Sequence, residues 1–207
     1  MKRIFQLVVF LIIIAAPTFI FSQDYAKSIK KHRKSHKSGL QQKFGGPLKP
    51  KDLKQLDYFP ASESWVKQAK VTLINGGDLI RMATSANQEK EYRPYATLQF
   101  SHENEEFAVT VYQIADANMY KLMQDHLFLP FTDLTNGNET YGGGRYLDLK
   151  VSDIEGDTVI LDFNKSYNPY CVYADGWNCP IPPKENFINV DVLAGEKDYT
   201  GKRRKRR

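Results

Sequence analysis

The sequence predicts a mainly β fold, α+β only at its margin. It is read as an antiparallel meander closing into a sandwich or a partly closed barrel, with short N-terminal helices. Three observations predict this. From Lys67 onward apolar residues recur at every second position, the period of a strand with one buried face. The runs are short and separated by clusters rich in glycine, asparagine and aspartate. Successive runs lie close in sequence, so neighbours are expected to pair.

The elements follow in order. Residues 24–37 read as a helix whose apolar face, Tyr25 and Ile29, is thin, so it is expected to be loosely held. PKDLKQL reads as a short helix with proline in its first turn, packed down by Leu53, Leu56, Tyr58 and Phe59. KQAKVTLI and DLIRMATS, joined by Asn75-Gly76-Gly77, predict a hairpin, because those three residues tolerate positive φ. YATLQFSH alternates through Ala96, Leu98 and Phe100. EFAVTVYQI answers with Phe107, Val109 and Val111 across the turn HENEE. ADANMYKLMQD has room for one or two helical turns. YLDLKV and TVILDF flank IEGD as another hairpin, and FINVDVLAG closes with Ile188, Val190 and Val192 inward. At least six strands result, in an order the sequence does not fix.

Met1-Lys2-Arg3 followed by an apolar run to Phe21 and a polar start at Gln23 is a secretory signal pattern. Pro17 and the short run disfavour a membrane anchor. The expected organisation is a signal peptide over 1–22, a basic segment over 23–45, one β-rich domain over 46–199 and a basic disordered tail over 200–207. The expected location is therefore periplasmic or extracellular, with no integral membrane segment after cleavage.

The formal charge of +5 hides an asymmetry. Between residues 38 and 201 lie 15 of the 29 Lys and Arg and 23 of the 24 acids, so the body carries a net −8. Basic residues gather at 27–37 and 202–207. The basic pI is thus no sign of a nucleic-acid surface on the fold; such ends are solubilising or touch acidic surfaces.

TYGGGRYLDL, LDFNKSYNPYC, NCPIPPKEN and AGEK together strongly resemble the bacterial and archaeal domain-of-unknown-function family numbered 1684. The resemblance begins at GPLKPKDLKQLDYFP, continues through MATSANQEKEYRPYATLQF and AVTVYQI, and spans roughly residues 46–199. It departs at SAN, where that family more often has a serine-glycine or threonine-glycine turn, and at Ser166, where alanine is common. The resemblance implies a shared domain and no activity.

The stretch from Leu127 to Glu196 is dense in residues that build special backbone and polar pockets, and it supplies the candidates. Gly142, Gly143 and Gly144, next to Tyr141, allow a sharp turn whose N–H groups suit an anion. No Lys-Ser or Lys-Thr follows, so this is no phosphate loop. Arg145 is either a clamp for a carboxylate or phosphate, or the internal partner of Asp133, Glu139 or Asp162. Asn164, Asn168 and Asn186 offer donors and acceptors to a small polar or anionic ligand, and serve equally to pin loops. Asp133, Thr135, Gly137 and Glu139 alternate like a calcium loop, but Gly144 stands at the twelfth position in place of the bidentate glutamate. Cys171 and Cys179 are the only cysteines. Exported context and even count favour one disulfide over a metal or redox pair. Glu185, with Glu139 or Asp162, is the acid–base candidate for a hydrolase or lyase, and His126 is the histidine nearest the region. His32 and His36, four apart, suit at most a weak metal site. No nucleophile elbow or zinc motif exists, so no cofactor is expected.

Overall fold

The computed structural model describes residues 16–205, with side chains from Gln23 onward. The positive start and most of the apolar run of the expected signal peptide lie outside the described residues, as do Arg206 and Arg207.

Eight strands make one sheet that curls into a half-barrel. They are β1 (Val66–Leu73), β2 (Ile80–Ala83), β3 (Glu89–His102), β4 (Glu105–Ile114), β5 (His126–Asp133), β6 (Arg145–Lys150), β7 (Thr158–Asp162) and β8 (Phe187–Ile188). The order is β6-β5-β4-β3-β1-β7; β2 also pairs with β3, and β8 runs parallel to β5. The mainly β expectation holds, and the architecture is the partly closed barrel rather than the sandwich.

The β3–β4 hairpin forms as the alternation predicts. Ala96 faces Val111, Leu98 faces Val109 and Phe100 faces Phe107 across a turn in which Glu103 and Asn104 both take positive φ. The other two expected hairpins do not form. β3 is 14 residues long and serves two partners. Its first half pairs with β2 and its second with β1, so Asn75-Gly76-Gly77 joins strands laid end to end along β3. β6 and β7 are the opposite edges of the sheet, because β6 takes β5 and β7 takes β1. Asp153 accepts from the Lys150 N–H at 2.9 Å and starts a 3-10 turn that leads the chain off β6. β5 has no period-two signal because it is buried on both faces nearly end to end, which reads in sequence as a plain apolar run.

The inner face carries the main core: Ala96, Leu98, Val109, Val111, Leu127, Leu129, Phe131, Leu147, Leu161 and Phe163 among others. The outer face of β3 to β6 carries a second, aromatic cluster of Tyr92, Tyr112, Phe128 and Tyr146 with Met82. Burial on both faces is what makes room for a covering layer.

The N-terminal helix α1 (Ala16–Gly39) is part of that layer and is not loosely held. Tyr25, Ile29, Arg33, His36 and Leu40 recur at helical spacing and form one stripe. Ile29 and Leu40 are buried, and the Tyr25 hydroxyl donates to Asp162 at 2.8 Å. Arg33 and Lys37 lie 4.8 and 5.1 Å over the Tyr58 ring. The thin apolar face misleads because aromatic and cation–π contacts do much of the docking. The expected short helix forms as a 3-10 turn over Pro50–Gln55, and α2 (Ala117–Leu122) is one short helix capped by Asp116. Within the basic segment expected as a disordered tail, Arg203 and Arg204 make contacts with the body. The Arg204 N–H donates to the Tyr173 carbonyl at 2.9 Å, and Arg203 pairs with Asp175 at 2.9 Å.

The closing segment after β8 keeps Ile188 and Val192 inward but is not a strand. Its N–H groups bond carbonyls two residues back, as Val190 does to Ile188. Gly195 takes φ +78°, and a Cβ there would overlap the Ser166 hydroxyl and lie 2.7 and 2.8 Å from the Ser166 and Phe163 carbonyls. Gly195→Ala is therefore expected to cost about 2–4 kcal/mol, combining a left-handed backbone with overpacking. Gly156 has φ +63° with open space around it, so Gly156→Ala is expected to cost about 1 kcal/mol. Urea denaturation of the two variants checks the contrast.

Candidate functional site

The dense stretch is closed upon itself. Arg145 is fully buried. Its Nη2 donates to Asp133 Oδ2 and to the Val192 carbonyl, both at 2.9 Å, and its Nη1 to the Ala194 carbonyl at 2.5 Å and the Glu196 carbonyl at 3.3 Å. Asp133 Oδ1 accepts from the Thr135 N–H and hydroxyl and from the Val192 N–H. The internal-partner alternative therefore describes Arg145, with Asp133 as the partner. Gly144, at φ +84°, sits where a Cβ would lie 2.5 Å from the Phe131 carbonyl, so glycine lets the loop press against β5. Its N–H donates to the Tyr141 carbonyl rather than standing free for an anion. A Cβ at Gly143 would strike the Tyr141 ring, and Gly142 lies beside Gly137.

The asparagines pin loops. Asn164 exchanges two 2.8 Å bonds with the Ser62 backbone. Asn168 takes Glu196 Oε2 on its N–H and reaches the Lys197 carbonyl at 2.7 Å. Asn186 receives the Thr110 N–H at 2.7 Å and donates to the Thr110 and Pro130 carbonyls at 2.8 Å. It thus fills the ladder between β4 and β5, whose strands pair directly only at Tyr112 and Phe128. The polar groups of Arg145, Asn164, Asn168 and Asn186 are buried and largely spent on the fold, as is the Gly144 N–H; of these residues, Arg145 Nε and Asn168 Oδ1 are the buried atoms left without a partner.

The three carboxylates each have other partners. Glu185 is exposed and accepts the Tyr112 hydroxyl at 3.1 Å. Glu139 is exposed in the β5–β6 loop and meets Asn138. Asp162 is buried between the Tyr25 hydroxyl, Asn164 and Lys165. Among the described residues no hydrogen bond or ion pair joins any two of them, and no group of three or more His, Cys, Asp or Glu could hold a metal ion.

His126 lines a cleft with residues outside the dense polar candidates. Register places His126 opposite Lys150 and Phe128 opposite Asp148, so His126, Phe128, Tyr146 and Asp148 share the outer face of β5 and β6. His126 Nε2 lies 2.9 Å from Asp148 Oδ1, and the Tyr167 hydroxyl donates to Asp148 Oδ2 at 2.8 Å. These groups line a cleft of about 480 Å³ between the sheet, α1 and the 165–180 loops. Phe128 packs edge-on to Tyr146 at 4.7 Å, and Tyr146 to Tyr167 at 5.8 Å. His36 from α1 lies 5.3 Å from the Tyr167 ring, and burial pulls it down to about 4, so it is neutral near pH 7. Burial also lowers His32. Lys165, on the rim, is held by Asp162 at 3.3 Å. The cleft is aromatic and mostly uncharged, with one fixed carboxylate whose oxygens are already aimed. The signal for it was the outward position of Asp148 in YLDLK, opposite the apolar alternation.

Cys171 and Cys179 are free thiols here, side by side. The Cys171 N–H donates to Cys179 Sγ at 3.2 Å, and Cys179 lines the cleft. Tyr141 lies close to the Cys171 thiol.

No helix among the described residues is long and apolar enough to cross a membrane. The model of the family described as protein of unknown function (DUF1684) matches residues 51–197. The solution NMR structure of the uncharacterized protein from gene locus rrnAC0354 of Haloarcula marismortui is similar, at 29% identity and a TM-score of 0.66. The match covers 86% of this chain and 96% of that one. No curated protein matches.

Proposed function

The chain belongs to the DUF1684 family of proteins of unknown function, and on that premise we propose that it is an exported binding domain for a small, planar, uncharged ligand held in the outer-face cleft. The observation that carries this is the pairing of an aromatic wall with the Asp148 carboxylate. Flat rings stack on Tyr and Trp faces, and a carboxylate already oriented by His126 and Tyr167 accepts a hydrogen bond from a ligand donor. Neutral His36 and a Lys165 already tied to Asp162 give an anion little reason to prefer the cleft. Of the small polar or anionic ligand expected of the glycine loop, we keep the polar, uncharged alternative and place it in the outer-face cleft. A hydrolase or lyase built on Glu185 with Glu139 or Asp162 draws no support from their contacts, each of which is to another partner.

Export rests on the N-terminal signal pattern. Cleavage after Ser22 leaves Tyr25, Ile29 and the rest of the α1 docking stripe in place. In an oxidising compartment Cys171 and Cys179 close as a disulfide, which the chain-entropy model values at about 2.5 kcal/mol for so short a loop. Exposed Lys27, Lys30, Lys31 and Lys34 on α1 are the groups that would meet an acidic surface.

Trp177 lines the cleft, while Trp65 is buried in the main core, so tryptophan fluorescence reads occupancy. Titration with phenols and nucleobases is expected to change Trp177 emission, with benzoates weaker. Asp148→Asn is expected to weaken the best phenol about tenfold or more, the worth of a hydrogen bond to an ionised acceptor. Binding unchanged in that variant, or no response to any neutral planar probe, would sink the proposal.

A further inference from the structure

We infer that Cys171 and Cys179 form a redox-active pair that exchanges with a small thiol or disulfide entering through the cleft, Cys179 being the sulfur attacked and Cys171 the sulfur that leaves. The inference rests on the cleft reading for its approach path alone.

The geometry gives the pair two unlike sides. Both cysteines are buried, but Cys179 forms part of the cleft wall, so the cleft is the side from which a reagent would approach it. Cys171 is not part of that wall. It faces Ser85 and Tyr141, with the Arg203 guanidinium nearby. The neighbouring Cys179 sulfur, and then Ser85, Tyr141 and Arg203 close by, hold the Cys171 thiol below the ordinary thiol range, whereas its partner is pushed up. In exchange chemistry the sulfur with the lower pKa is the better leaving group, and the other must be the accessible one. Both conditions point the same way here. A disulfide that only braced a loop would have no need of a sulfur in a ligand cleft or of donors around its partner.

The steps balance within the pair. A thiolate RS⁻ in the cleft attacks Cys179 Sγ. The S–S bond breaks, its electron pair goes to Cys171, and Cys171 leaves as a thiolate steadied by Tyr141, Ser85 and Arg203. A second RS⁻ attacks the R sulfur of the mixed disulfide, releasing RSSR and the Cys179 thiolate, which takes a proton. Two thiols have lost two electrons and the protein disulfide has gained them. A low-molecular-weight disulfide runs the same steps backwards.

The exported chain is equilibrated in buffers of reduced and oxidised glutathione, alkylated and weighed, and the mixed disulfide trapped with an aromatic disulfide (dithiobis-nitrobenzoate) is mapped by peptide mass. The expected result is a dithiol–disulfide midpoint within the glutathione range and an adduct on Cys179 in the wild type. Cys179 in Cys171→Ser is expected to react at least tenfold faster than Cys171 in Cys179→Ser, against the order of their thiol acidities. A saturating phenol is expected to slow the first reaction. A wild type that stays oxidised in millimolar reduced glutathione, or whose adduct falls on Cys171, overturns the inference, whether or not the serine variants fold. If the phenol panel binds and the pair stays oxidised, the binding reading stands and exchange falls. If the pair exchanges and no planar probe binds, exchange stands and the ligand reading falls.

Discussion

Arg145→Ala is expected to lower the free energy of unfolding by about 3–5 kcal/mol, the loss that follows when one member of a buried ion pair is removed. The substitution deletes the donors to four acceptors: Asp133 and the Val192, Ala194 and Glu196 carbonyls. Three carbonyls turned inward by the segment after β8 would then face a void, and the Asp133 carboxylate would stay buried with its charge uncompensated. Arg145→Lys keeps a charge but not the planar fork that reaches several acceptors at once, so about half the loss is expected to remain. Asp133→Asn strands the guanidinium instead, and also weakens the bonds to Thr135 and Val192. The double variant should lose less than the sum of the singles by about 2 kcal/mol, since the two share one network. Urea denaturation of the four proteins measures this. Phenol binding in the outer-face cleft, followed in the folded lysine variant, is expected to match the wild type. A tolerant Arg145→Ala with altered ligand binding would return Arg145 to the role of a clamp.

The strands that alternate were legible in the sequence, and so was the β3–β4 hairpin. The inward set of Leu98, Phe100, Val109 and Val111 needs no tertiary knowledge. Pairing partners were less legible, because a turn such as Asn75-Gly76-Gly77 says that the chain bends, not that the strands it joins lie side by side. β3 is long enough to serve as partner to both flanking strands, and that length competes with the local hairpin. β5 was hidden because burial on both faces erases the period. The dense polar stretch is one cluster in the fold, and its polar groups are turned largely toward one another. Arginine, asparagine and glycine at such density build closed networks as readily as open pockets, and only burial tells them apart. The cleft was harder to see because it is assembled from far apart: His36 on α1, His126 on β5, Asp148 on β6 and Tyr167 in a loop. Each of these residues is ordinary in its own segment.

Glu196, in the AGEK motif, carries the second large effect. It is buried completely, bonded to the Tyr173 hydroxyl at 2.6 Å and the Asn168 N–H at 3.1 Å, and burial raises it from 4.5 to about 7. A carboxyl raised in this way holds its proton more firmly folded than unfolded. Between pH 4.5 and about 7 the folded chain therefore binds more protons than the unfolded one, and stability falls as pH rises through that window. Its contribution is complete below 4.5 and lost above about 7, and it amounts to roughly 3 kcal/mol at 1.36 kcal/mol per unit. His36 works in the opposite sense. Lowered from 6.5 to about 4 by burial, it must be neutral to stay in place, so stability is gained as pH rises through that range. The two slopes oppose each other over pH 4.5–6.5, and His32 and His102, lowered as well, add to the rising one, so the Glu196 arm is hidden in the wild type. Glu196→Gln exposes the hidden arm. It carries a fixed offset, because the amide gives the Asn168 N–H a poorer partner, but that offset does not titrate. The stability of Glu196→Gln relative to wild type is expected to climb by about 3 kcal/mol from pH 4.5 to 7 and then level off. His36→Asn removes the His36 arm, so its stability relative to wild type is expected to fall as pH rises through that range. Denaturant midpoints taken across the range read both curves. A flat difference between Glu196→Gln and wild type would mean that Glu196 is ionised in the fold at neutral pH, its charge held by the Tyr173 hydroxyl and the nearby Arg145 guanidinium.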